Sequence, residues 1–108
     1  MTYQVYLTGD AVRDLEDVYD YIEFHDTLAQ ADYVLDEIEK VFLSLVSNPE
    51  RGSYPGKLLA LGMREFREVY FKPYRIIYRV LSEAVYVMVI AGGRRDMQAL
   101  LQRRLLQA

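Results

Sequence analysis

The sequence predicts an α+β domain in which an antiparallel helical hairpin packs on one face of an antiparallel sheet. Two amphipathic helical patterns fill most of the first half of the chain, and three runs rich in aromatic and β-branched residues fill most of the second half. Residues 48–56, which hold two prolines and two glycines, separate the two halves. The predicted order of elements is βααβββα, in a single domain spanning residues 1–108.

The first half is predicted to form a short strand and two helices. Residues 3–7 alternate in the manner of a strand, and Thr8 or Asp10 then caps a helix over residues 11–24. Apolar residues form one stripe of this helix, and acidic residues, Asp14 among them, surround its other face. A stronger apolar stripe begins at Ala31 and runs to about residue 46. We therefore expect an antiparallel helical hairpin.

The second half is predicted to form three strands and a last helix. The strands span residues 63–71, 74–81 and 85–91, with only short turns between them. They should form an antiparallel meander, because a parallel pair needs a crossover of about a dozen residues or more. Asp96 is predicted to cap a last helix over residues 97–106.

The composition excludes several kinds of chemistry. Because the chain has no cysteine, it can form neither a disulfide framework nor a thiolate metal site. Its single histidine, His25, falls in the predicted turn between the helices, so we expect no histidine metal site and no imidazole base on the sheet. The longest apolar run, residues 84–91, is far shorter than the ~20 residues that span a membrane. We expect a cytoplasmic protein without a metal, a cofactor, a small-molecule substrate or a membrane contact.

Charge is divided unequally between the two halves of the chain. Residues 1–50 carry 12 acidic and two basic residues, a net charge of −10. Residues 51–108 carry 11 basic and four acidic residues, a net charge of +7. The second half therefore presents a positive field of its own, and an anionic partner is expected to meet it.

Alternation within residues 74–81 predicts where the positive charge lies. It directs Tyr74 and Tyr78 toward the helices, and Arg75 and Arg79 to the opposite face of the sheet. Further arginines of the second half are expected to join these two in a basic surface, because guanidinium groups hold phosphate or carboxylate oxygens by paired hydrogen bonds. These further arginines are Arg64 or Arg67, and Arg94 with Arg95. Alternatively, Glu65, Glu68 and Asp96 pair with the arginines and merely keep this face solvated.

Several segments together resemble the RelE/ParE toxin superfamily of bacterial type II toxin–antitoxin systems. They are residues 15–22, the loop containing Asn48, Pro49 and Gly52, and residues 62–66, 74–80 and 93–96. The resemblance covers nearly the whole chain, and it depends on the order and spacing of these segments. It implies a toxin that arrests growth and is neutralised by a co-encoded antitoxin, whose C-terminal segment folds onto the toxin.

The superfamily contains two mechanisms, and the resemblance suggests which applies. RelE-like members cleave messenger RNA on the ribosome, whereas ParE-like members inhibit DNA gyrase. Lys57 and Arg64 lie where the nuclease group has basic residues, and Arg94 or Arg95 matches its phosphate-holding arginine. However, Gly92 replaces the histidine of many relatives, and arginine stays protonated near neutral pH. The ParE-like branch is therefore favoured, with no catalytic residue assigned.

The sequence thus predicts a gyrase-binding toxin with an antitoxin partner. A RelE-like ribosome-dependent endoribonuclease and a non-toxic binding protein on the same fold remain alternatives. The last helix is expected to present an exposed apolar ridge to a partner. The predicted contact residues are Lys57, Arg64, Arg67, Arg75, Arg79, Arg94 and Arg95 on the basic surface, and Leu101, Leu105 and Leu106 on the last helix.

Overall fold

One mixed four-stranded sheet organises the computed structural model, which describes residues 2–92 and 97–106. Its strands are, in spatial order, β1 (Gln4–Leu7), β4 (Ala84–Gly92), β3 (Tyr74–Leu81) and β2 (Phe66–Phe71). The last three form the predicted antiparallel meander. β1 runs parallel to β4, and this pairing makes the sheet mixed.

The predicted helical hairpin lies on one face of the sheet and consists of α1 (Gly9–His25) and α2 (Leu28–Leu43). The Thr8 hydroxyl oxygen caps α1 by accepting a hydrogen bond from the Ala11 amide at 3.1 Å. Thr27 caps α2 in the same way, with the Gln30 amide at 3.0 Å. Because Thr27 follows α1 so closely, the two helices are joined by a very short turn. A 3₁₀ turn, Ser44–Val46, continues α2 to the predicted end of the second helix.

The sheet separates two apolar cores. The larger core lies between the hairpin and the sheet and includes Ile38, Ile76 and Tyr78. The smaller core lies on the opposite face, where Leu58 of α3 (Gly56–Ala60) and Leu101 of α4 (Met97–Leu101) pack against the sheet. α3 was not predicted, because five residues are too few to show a helical stripe. The last helix also differs from the prediction, since a π-helical turn, Gln102–Leu106, follows α4.

A β-bulge in β4 allows the strand to supply both cores. The register with β3 changes from Ile77↔Val89 to Tyr78↔Val87, which leaves Met88 as the extra residue. As a result, Met88 and Val89 both pack in the smaller core, whereas Val87 packs under the hairpin. Within residues 2–92 and 97–106, no helix combines the length and apolar composition that crossing a bilayer requires.

Candidate functional site

Two arginines of β3 lie on the sheet face opposite the hairpin, as the alternation predicted. The register places Tyr70 opposite Arg75 and Phe66 opposite Arg79. The guanidinium carbon of Arg75 lies 5.8 Å from the Tyr70 ring centroid, and that of Arg79 lies 5.7 Å from the Phe66 ring centroid. These cation–π contacts orient both guanidinium groups. We call the surface formed by Phe66, Glu68, Tyr70, Arg75 and Arg79 the arginine face.

Glu68 lies within the arginine face and is only 6% exposed. Its Oε2 atom is 3.9 Å from Nη1 of Arg75, and its Oε1 atom accepts a hydrogen bond from the Tyr70 hydroxyl. The pKa of Tyr70 is raised mainly by burial and, to a smaller extent, by this hydrogen bond. Neither Oε2 of Glu68 nor Nε of Arg79 has a hydrogen-bond partner in the described part of the chain. The alternative that Glu68 pairs with an arginine is confirmed for Arg75. Glu68 is buried, however, so it does not itself keep this face solvated.

Arg67 points to the other face of β2 and has a structural role there. Its guanidinium group donates to the carbonyl oxygens of Glu50 and Gly52, at 3.1 and 2.9 Å, and to the Tyr54 hydroxyl at 3.0 Å. The same group lies 4.5 Å from the Tyr54 ring centroid. Arg67 therefore holds the proline- and glycine-containing loop against β2 and does not join Arg75 on the arginine face.

A second group of predicted arginines meets at the end of β3. Arg64, Arg67 and Arg79 line a cavity of about 190 Å³, together with Glu50 and Glu65. The two carboxylates reduce the positive charge of this cavity. Of the other predicted basic residues, Lys57 is exposed on α3, and Arg94 and Arg95 lie outside the described residues.

Among the described leucines of the last helix, Leu101 and Leu105 do not form the exposed ridge that the sequence predicted. Leu101 is buried in the smaller core, and Leu105 packs against the same core. The side chain of Leu106 lies outside the described residues. Leu101 is buried and Leu105 is partly buried because the last helix covers part of the sheet face opposite the hairpin. A contact of these leucines with a partner stays a prediction.

Sequence reasoning missed a buried ion pair between α1 and the last helix. Asp14, predicted on a solvated acidic face, is 5% exposed. Its carboxylate accepts from Arg104 Nη2 at 2.5 Å, from Arg104 Nη1 at 3.0 Å and from the Ile90 amide at 3.0 Å. The hydrogen bonds to Asp14 raise the pKa of Arg104. Asp14 lies at helical spacing between Ala11 and Val18 of the apolar stripe, and this spacing was a signal of its burial.

His25 is the last residue of α1, close to its predicted position in the turn. Its ring centroid lies 4.2 Å from that of Tyr21 and 4.9 Å from that of Phe24. The arginine face is on the other side of the sheet. Among the described residues, no three His, Cys, Asp or Glu side chains are grouped in a way that could hold a metal ion.

The helical hairpin on one face of the sheet and the antiparallel meander form the architecture that the resemblance to the RelE/ParE superfamily implies. Residues 5–97 match the family model described as the ParE toxin of the type II toxin–antitoxin system, parDE. The chain therefore belongs to the ParE toxin family. The comparison with curated protein sequences returned no match.

Solved structures of toxins share this fold. The chromosomal ParDE toxin–antitoxin system from P. aeruginosa is similar with a TM-score of 0.70 and 16% identity, over 84% of this chain and 96% of that chain. The RelBE2 toxin–antitoxin complex from Mycobacterium tuberculosis gives 0.63 and 19%, over 85% and 99%. A mutant of the E. coli toxin RelE in the free state gives 0.64 and 14%, over 99% and 97%. Because ParE and RelE toxins share this fold, the fold by itself does not distinguish between them.

Proposed function

We propose that this toxin arrests bacterial growth by binding and inhibiting DNA gyrase in the cytoplasm, and that a co-encoded antitoxin neutralises it. The observation that carries the proposal is the match of residues 5–97 to the ParE toxin family. The superfamily resemblance in the sequence associates the ParE branch with gyrase.

The chemistry of the arginine face supports a binding role. The guanidinium groups of Arg75 and Arg79 can hold carboxylate or phosphate oxygens, but they remain protonated near neutral pH and so accept no proton. His25, the only imidazole in the sequence, belongs to the hairpin on the other side of the sheet.

The antitoxin is proposed to bind the arginine face. The structures of the P. aeruginosa ParDE system and the M. tuberculosis RelBE2 complex each include an antitoxin beside a toxin of this fold. An acidic or amphipathic antitoxin segment would complement Arg75 and Arg79, and the exposed ring of Tyr70 would offer it an apolar contact.

A supercoiling assay with purified components tests the proposal. Micromolar toxin should block supercoiling of relaxed plasmid by gyrase or accumulate cleaved plasmid, and the protein encoded by the neighbouring gene should restore normal supercoiling. A toxin that has no effect on gyrase, although it arrests growth when induced, would refute the proposed target. A chain that arrests no growth would instead favour the non-toxic binding protein.

Glu68 favours a second candidate, the ribosome-dependent endoribonuclease. Its carboxylate lies beside Arg75 and has one oxygen without a hydrogen-bond partner among the described residues. A carboxylate next to a guanidinium could accept a proton from a ribose hydroxyl while the guanidinium holds the phosphate. Because this oxygen is buried, the mechanism requires that RNA binding exposes it. Glu68→Gln keeps the shape and removes the proton acceptor. Under this candidate, transcripts should be cut after induction of the wild type and stay intact with Glu68→Gln.

A further inference from the structure

The tip of the helical hairpin exposes a cluster of aromatic side chains. Phe24 is 84% exposed and Tyr21 is 63% exposed, and both rings contact the ring of His25. Leu28, the first residue of α2, is exposed next to them in the chain. We call these four residues the hairpin tip. An exposed apolar cluster at a helix end is typical of a surface that another molecule covers.

A cavity beside the hairpin tip could receive a side chain from such a molecule. It measures about 370 Å³ and lies between the hairpin tip and the turn that joins β2 to β3. Tyr21 and His25 line it from the hairpin, and Phe71, Lys72 and Tyr74 line it from the sheet. Pockets that bind small ligands begin at about 300 Å³, so this cavity has room for one large apolar side chain.

The charge around the hairpin tip indicates what kind of partner fits. Asp17, Asp20, Glu23 and Asp26 are all exposed on the last turns of α1 and just beyond it. None of the four forms an ion pair within the part of the chain that the structure describes. These carboxylates repel nucleic acid, and they attract a surface that carries lysine or arginine side chains.

We propose that the hairpin tip is the surface by which the toxin holds its protein target, and that the target presents a cationic surface with a projecting apolar side chain. This inference rests on the proposed function, because it assumes that the toxin acts by binding a protein. It leaves the arginine face, on the opposite side of the sheet, to the antitoxin. One chain can therefore carry two separate docking surfaces of opposite charge.

The first test removes the aromatic rings. In the double variant Tyr21→Ser with Phe24→Ser, both changes are at exposed positions, so the fold should survive, and circular dichroism checks this. We expect growth arrest to be lost in cells, and the concentration for half-inhibition of purified gyrase to rise about tenfold or more, as when interface anchors are truncated. The Kd for the antitoxin should change less than about twofold. Leu43→Ser, also exposed but at the other end of α2, is the matched control.

The second test reverses one charge. Glu23→Lys should weaken target inhibition and reduce its dependence on salt. Glu16→Lys makes the same change seven residues earlier on nearly the same side of α1, about 10 Å from the tip along the helix, and should act much less.

The outcomes separate this inference from the proposed function. If the double variant no longer arrests growth but still binds the antitoxin, the result supports the hairpin tip as the surface that holds the target. This holds even if the wild type does not inhibit gyrase, because that result would reject only gyrase as the target. Unchanged growth arrest overturns the inference, as does a wild type that arrests no growth. Loss of antitoxin binding also overturns it, because the tip would then belong to the antitoxin. A self-association that the double variant abolishes without loss of toxicity would assign the tip to a second copy of the chain.

Discussion

Asp14 of α1 and Arg104 of the last helix form a two-bond ion pair at the edge of β4, just where β1 ends. β1 pairs with β4 only as far as Leu7↔Val87. Beyond that point, the Asp14 carboxylate accepts from the Ile90 amide, and the Arg104 guanidinium lies 3.5 Å from the Met88 carbonyl oxygen. The ion pair therefore replaces a missing stretch of neighbouring strand, and it connects the hairpin, the sheet and the last helix.

Removing the Asp14 charge should destabilise the protein markedly. We expect Asp14→Asn to lower the free energy of unfolding by about 2–4 kcal/mol, because breaking a largely buried ion pair leaves the guanidinium unpaired. Urea denaturation measures this change, and amide hydrogen exchange should show faster exchange at Ile90. Asp17→Asn, at an exposed position of the same helix, should change stability by less than about 0.5 kcal/mol. Equal effects of the two variants would contradict a structural role of the ion pair.

The Tyr78 hydroxyl connects the loop of residues 48–56 to the sheet. This hydroxyl accepts from the Gly52 amide at 3.0 Å and donates to the Pro49 carbonyl oxygen at 2.7 Å. Tyr78→Phe leaves both backbone groups without this partner, so we expect a loss of about 1–3 kcal/mol at pH 7 in urea denaturation. Tyr33→Phe, which changes an exposed tyrosine, should have little effect.

The same hydroxyl should make stability fall at high pH. Burial raises the pKa of Tyr78 in the folded protein. The contribution of the Tyr78 hydroxyl to the free energy of unfolding is therefore complete below the ordinary tyrosine pKa of about 10. This contribution is lost as the pH rises from there through the raised pKa. The stability difference between wild type and Tyr78→Phe should shrink over this alkaline range. A difference that stays constant above pH ~10 would contradict the raised pKa.

Gly52 is expected to tolerate no side chain. An added Cβ would lie 2.6 Å from the Tyr78 hydroxyl oxygen and 2.8 Å from the Glu68 carbonyl oxygen. Gly52→Ala should therefore cost about 1–3 kcal/mol in thermal or urea unfolding, the usual range for overpacking. Gly56→Ala is the matched control, because no heavy atom other than those of its chain neighbours and of its own helix backbone lies within 4 Å of the added Cβ. This variant should be neutral or slightly stabilising in α3. A similar loss in both variants would argue against the predicted clash.

Arg75 is expected to contribute to antitoxin binding. Arg75→Gln removes a charge that faces the proposed antitoxin segment, and we expect the Kd measured by calorimetry to rise about tenfold, with a weaker dependence on salt. Arg13→Gln removes an exposed positive charge from the hairpin and should leave the Kd unchanged. An antitoxin complex whose contacts avoid the arginine face would contradict this prediction.

The sequence predicted most of the fold because its signals there are local. The bounds of β3 were predicted correctly, since alternation and turn residues mark both ends of the strand. The parallel pairing of β1 with β4 was not predicted, because it joins segments far apart in the chain. The pairing of Asp14 with Arg104 was missed for the same reason.

The candidate site was predicted less completely than the fold. Alternation placed Arg75 and Arg79 on the face opposite the hairpin. It could not show that Arg67 bonds to a distant loop, nor that Glu68 is buried beside Arg75, because both depend on tertiary packing. Nor did the sequence predict that the last helix would bury Leu101 against this face.

The most direct test of the proposed function follows plasmid DNA and transcripts from the same culture after toxin induction. We predict that plasmid loses negative supercoiling or is cleaved, while full-length transcripts persist, and that co-expression of the antitoxin reverses the change. Intact, normally supercoiled plasmid together with transcripts cut on the ribosome would contradict it.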